Sequence, residues 1–61
     1  MASERFAFEV WQNGVRVVEG EAATDDDARR EGMHYATMYA QDGPVLYRFG
    51  RHPLPKLPPG A

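Results

Sequence analysis

The stretch Phe6-Ala7-Phe8-Glu9-Val10-Trp11-Gln12-Asn13-Gly14-Val15-Arg16-Val17-Val18-Glu19 decides the architecture. Its first half alternates, so that Phe6, Phe8 and Val10 fall on one face and Ala7, Glu9 and Trp11 on the other. Asn13-Gly14 follows at once. A type I′ turn needs positive φ at both central positions, and these two residue types tolerate it best. The stretch predicts an antiparallel hairpin with Gln12 opposite Val15, Trp11 opposite Arg16 and Val10 opposite Val17. Continued unbroken, that register sets Phe8 against Glu19 and turns a carboxylate onto the apolar face. A β-bulge at Val18 or Glu19 would bring Gly20 opposite Phe8 and Ala22 opposite Phe6, two small residues that leave room for two rings.

Downstream, Thr24-Asp25-Asp26-Asp27 reads as a helix start, with Thr24 as the cap and Asp27 placed to reach back to the Thr24 amide. The helix should run to about Gln41 and stop at Asp42-Gly43-Pro44, where Gly43 supplies a left-handed residue and Pro44 cannot continue. Helical spacing gathers Ala28, Gly32, Tyr35, Ala36 and Tyr39 on one face, with Met33 and Met38 on its flanks. Gly32 costs about 1 kcal/mol of helix propensity relative to alanine. On an inward face that cost implies close approach of the helix backbone to the sheet. Val45 to Phe49 reads as a third strand, with Val45, Tyr47 and Phe49 turned toward the helix. If the first strand runs up, the second runs down, the helix up and the third down, beside the first. The expected fold is α+β: a ββαβ domain over residues 1–50, whose three-stranded antiparallel sheet has order 2-1-3 and carries one helix on one face. Residues 51–61 hold four of the chain's five prolines and form a proline-rich tail, expected to be extended polyproline II or disordered.

A chain of 61 residues is at most one domain and buries only about 60% of the surface its unfolded form exposes. It has no cysteine to supplement that core and no apolar run long enough to span a bilayer. Met1-Ala2-Ser3-Glu4-Arg5 shows no apolar signal-peptide core, and a cytoplasmic location is expected. Residues 1 to 50 carry five arginines against nine carboxylates, while Arg51 and Lys56 are the only charges of the tail. A body with net charge −4 suits a phosphate backbone poorly, which disfavours nucleic acid as the partner.

One helix covers one sheet face. The reverse face is expected to show Ala7, Glu9, Trp11, Arg16, Val18, Leu46 and Arg48, with Trp11 and Arg16 disposed for a cation–π contact. Either this face docks a partner, or Leu54 and Leu57 of the tail fold over it. Glu19, Glu21, Asp25, Asp26 and Asp27 form the densest acidic group. They read either as favourable charge at a helix N-terminus or as a patch for a basic surface. The outer strands are open edges that invite pairing with another chain, a homodimer included, unless Arg, Glu and Pro blunt them. His34 and His52 lack metal-ligand spacing, and the lone Ser3 sits at the terminus. No catalytic group, metal or cofactor site is therefore expected. Pro55-Lys56-Leu57-Pro58 matches a bare PxxP.

The runs from Phe8 to Gly14, Gly20 to Ala22, Glu31 to Ala36 and Tyr39 to Val45 resemble small proteins of bacteriophages and prophages of high-GC bacteria. The resemblance extends over Phe6 to Phe49. Such accessory proteins include inhibitors of host machinery, anti-CRISPR proteins among them. The resemblance implies a compact protein that blocks a host complex in the host cytoplasm, nucleic-acid-binding complexes included. These inhibitors are diverse in sequence, so it assigns no residue. The function expected is that of a non-enzymatic inhibitor of a host defence complex acting by protein–protein contact. A nucleic-acid-binding or regulatory module and a strand-edge homodimer are the alternatives. The partner-binding residues expected are Trp11, Arg16, Val18, Glu21, Arg48, Asp25, Asp26 and Asp27.

Overall fold

Asn13 and Gly14 take φ of +55° and +76°, the doubly positive pair that a type I′ turn requires, and they join two antiparallel strands. The computed structural model describes residues 4–57. The strands are β1 (Phe6–Gln12) and β2 (Val15–Ala22), followed by α1 (Asp25–Ala40) and β3 (Leu46–Arg51). β3 pairs antiparallel with the free side of β1, giving the order β2-β1-β3. The chain is thus a small α+β fold with a three-stranded antiparallel sheet and one helix.

The bulge is present, one step nearer the turn than expected. Trp11 still faces Arg16, but Val10 faces Val18, and Val17 is the extra residue. This placement brings Phe8 opposite Gly20 and Phe6 opposite Ala22, as the side-chain sizes require. It also corrects the expectation for Val18. Val18 stands across from the fully buried Val10 and packs against the core, so it does not belong to the reverse face. A bulge at Val18 or Glu19 would have kept Val17 inside. The observed one turns Val18 inward instead and leaves Glu19 outside beside Arg16.

The core is small: Phe8, Val10, Ala22, Ala28 and Ala36, with Phe6, Val18 and Tyr47 packed around Phe8, Ala22 and Ala28, and with Ala7 also buried. Two glycines make it possible. A Cβ on Gly20 would stand 2.5 Å from Cζ of Phe8. A Cβ on Gly32 would strike the Tyr47 ring and lie 3.0 Å from the Phe8 Cβ, so the helix does approach the sheet at Gly32. The Tyr47 ring is held where it lies, because its hydroxyl donates to the Arg29 carbonyl at 2.5 Å and its face stacks on Phe49, centroids 5.4 Å apart. Tyr35 lies nearly parallel to Phe8 at 6.1 Å but remains 38% exposed.

The helix begins as its sequence indicates, with the Asp27 amide donating to Thr24 Oγ1 at 3.1 Å. The return bond from Asp27 to the Thr24 amide is not formed, and Asp27 faces Arg30 at 3.6 Å instead. At the other end the cap is Gln41, so Gly43, with φ of +146°, comes two residues beyond it. The last turns tighten through amides of Gln41, Asp42 and Gly43 bonded to Met38, Tyr39 and Ala40. The Gln12 side-chain amide, arriving from the end of β1, donates to the carbonyls of Tyr39 (2.8 Å) and Gly43 (3.2 Å). β3 extends two residues beyond the expected end, because Gly50 and Arg51 pair with Ala7 and Phe6.

Residues 52–57 belong to neither helix nor strand and return across the sheet face opposite the helix. The His52 amide donates to the Arg5 carbonyl at 2.9 Å, the Pro55 carbonyl accepts from Arg48, and Leu54 lies over Gly50. The reverse face is therefore partly covered within the chain, the second of the two arrangements expected for it, and is not a free docking platform. The physical reason is plain: two leucines lose apolar exposure against a face the helix cannot reach. The tail beyond Leu57, with the end of the PxxP match at Pro58, lies outside the described residues.

Candidate interaction surface

Glu9 is the hub of the reverse face. It projects from the middle of the central strand, opposite Glu19 on one side and Arg48 on the other. Two carboxylates directly across a strand pair repel. Arg16 resolves the conflict by bridging both, at 3.1 Å to Glu9 and 3.2 Å to Glu19. Arg48 binds the other Glu9 oxygen at 2.7 Å, and the Trp11 indole N–H donates to that same oxygen at 3.0 Å. Glu9 and Arg48 are only 13% and 17% exposed, so this pair is shielded far better than an ordinary surface ion pair. Burial pushes the Glu9 carboxyl up, but the bonds from Trp11 and Arg16 and the charges of Arg48 and Arg16 outweigh it and hold the group below its usual value. Arg16 thus serves the carboxylates, and the expected Trp11–Arg16 cation–π contact gives way to an indole–carboxylate bond.

The acidic residues are interleaved with cations. Asp26 faces Arg29 at 3.0 Å and Arg30 at 3.8 Å, and Glu21 faces Arg5 at 2.7 Å and His52 at 3.4 Å. The bond from Arg5 lowers the Glu21 carboxyl, against a desolvation that raises it and with help from His52. Asp25 has no ion pair among the described residues. The structure thus brings Trp11, Arg16 and Arg48 together around Glu9, sets Glu21 in a separate cluster, and keeps Asp25, Asp26 and Asp27 at the helix start, with Val18 in the core. His34 stands exposed on the helix, edge-on to Tyr35 at 5.3 Å. Among the described residues no cluster of His, Asp or Glu could hold a metal ion, and no helix is long and apolar enough to cross a membrane.

Large apolar side chains remain outside: Met33 and Met38 on the helix flanks, Phe49 and Leu46 on β3, and Val15 beside the turn, each at least 40% exposed. The two sheet edges differ. β2 carries the bulge at Val17 together with Arg16, Glu19 and Glu21, features that discourage strand pairing. β3 pairs with β1 in unbroken register and presents its other edge unpaired among the described residues.

Two elements of this surface escaped the sequence reading. The Glu9 hub could have been found, because the order 2-1-3 places a lone central carboxylate between two arginine-bearing strands. The Gln12 clamp on the helix end carries no sequence signal, since its partners lie 27 and 31 residues away. No protein-family model matches the chain, and no curated protein or solved structure is detectably similar to it.

Proposed function

We propose that this protein is a small non-enzymatic binding protein that acts by protein–protein contact through the β3 edge and the adjoining helix flank. The observation that carries this reading is the apolar surface left uncovered there: Phe49 at 40% and Met33 at 49% exposure, while among the described residues Val10 is the one large side chain fully buried. Exposed apolar side chains beside an unpaired strand edge mark interaction sites. The ionisable groups of the reverse face are engaged with one another, which supports a structural rather than a catalytic role for them. The resemblance to phage accessory proteins adds a target class, a host defence complex bound in the host cytoplasm, as anti-CRISPR proteins do. The interleaved arginines weaken the alternative in which Asp25, Asp26 and Asp27 alone form the contact.

The test is affinity capture from host lysate with the parent chain and with Phe49→Glu and Met33→Glu variants shown to be folded by circular dichroism. A partner retained by the parent and lost by both variants supports the reading. A partner retained by both and lost on reversing Asp25, Asp26 and Asp27 moves the contact to the acidic end. The second reading, a homodimer, is favoured by the regular β3 edge, which two copies can share about a two-fold axis. Light scattering separates the two, since only a homodimer doubles the mass without a host component.

A further inference from the structure

We propose that the groove across the reverse face is a binding site for an extended, proline-punctuated peptide segment with two leucines three residues apart, and that the chain's own residues 52–57 occupy it until such a segment of a partner protein displaces them. The seat is visible in its present occupant. Leu54 and Leu57 are half-buried, while Pro55 and Lys56 between them are exposed. A three-residue repeat of contact is the periodicity of polyproline II, whose backbone leaves its carbonyls unbonded and open to a receptor's donors. Arg48 supplies such a donor to the Pro55 carbonyl.

The walls of the groove are built for this chemistry. Gly50 offers no side chain, so Leu54 settles over it; a Cβ there would already touch Leu54 Cδ2 at 3.4 Å. Trp11 lines the next part of the groove, and Leu57 reaches beyond it to the surface formed by Pro44, Val45 and Leu46. Aromatic-lined grooves take proline-rich segments because these arrive already extended and lose little entropy on binding. Glu9 holds both Trp11 and Arg48 by its bonds to them, so the two walls are positioned before any segment arrives. After His52, the bond from Arg48 is the one polar tie between the tail and the sheet among the described residues. Leucine burial therefore carries most of the closure, and a segment of the same pattern can compete for it.

The experiment uses the full chain and the peptide His-Pro-Leu-Pro-Lys-Leu with blocked ends. Trp11 is the only tryptophan, so its emission reports the groove alone. A Leu54→Asp, Leu57→Asp double variant should show red-shifted Trp11 emission with unchanged circular dichroism. Peptide should reverse the shift saturably, about tenfold more tightly than it binds the parent, whose own tail competes at the site. Should the variant unfold, amide shift mapping of the parent with excess peptide gives the same answer: the Trp11 indole and Gly50 amide should move saturably, and a peptide with both leucines replaced by aspartate should leave them still. Trp11 emission unchanged in a folded double variant, or no saturable response to peptide in either protein, would overturn the proposal. So would doubling of the parent's mass that the double variant abolishes, because copies would then be exchanging tails.

Discussion

Two residues are constrained more tightly than their chemistry suggests. Gly32 sits in mid-helix, where alanine would add about 1 kcal/mol of propensity. The Tyr47 ring nevertheless occupies the space, pinned by its bond to Arg29 and its stacking on Phe49. Overpacking of this kind costs about 1–3 kcal/mol. Gly32→Ala should therefore lower the thermal midpoint, and a midpoint that rises would show that the ring yields. Glu9 makes a prediction in pH. Its carboxyl, like that of Glu21, is held below the usual value of 4.5. Its stabilising contribution is thus complete above that pH and is lost as the pH falls through the lowered folded value. Glu9→Gln should reduce stability at neutral pH by about 1–3 kcal/mol, since it leaves Arg16 and Arg48 without their shared carboxylate. It should also flatten the acid limb of a denaturation series, and an acid limb as steep as the parent's would assign that limb to other carboxylates.

At the scale of elements, the helix is fastened at both ends by different means. Thr24 caps the start from within the local sequence, whereas Gln12 clamps the end from the hairpin. Thr24→Ala should cost about 1 kcal/mol. Gln12→Glu should cost more than Gln12→Ala in chemical denaturation, because a carboxylate would face two carbonyls at the negative end of the helix dipole. Equal losses would mean that the clamp contributes packing alone. The bulge shows the same division between near and far causes. The conflict between Phe8 and Glu19 is visible in the alternation, but the choice of Val17 as the extra residue depends on α1, since Val18 packs against the cluster that holds Ala28 of the helix.

For the whole molecule, the decisive quantity is how little apolar surface a chain this short can hide. One helix and six residues of tail cover parts of both sheet faces, and what stays exposed collects on the helix flanks, on β3 and beside the turn. If that surface is used, association should depend on the β3 side. Phe49→Glu should abolish concentration-dependent sedimentation or partner capture while costing only about 0.5–1.5 kcal/mol, the loss of its stacking on Tyr47. A larger loss of stability would assign Phe49 to the fold instead.

By itself the sequence determined the hairpin and its turn, the need for a bulge, the span and start of the helix, the close approach at Gly32 and the strand order 2-1-3. Each follows from local rules: alternation, turn stereochemistry, helical spacing, capping and the direction of successive elements. Only the tertiary structure decided which residue bulges, that Val18 faces inward, that Glu9 gathers Trp11, Arg16 and Arg48, that Gln12 closes the helix, and that Leu54 and Leu57 lie over the reverse face. These depend on contacts between residues far apart in the chain, where several arrangements satisfy every local rule and the packing of side chains selects among them.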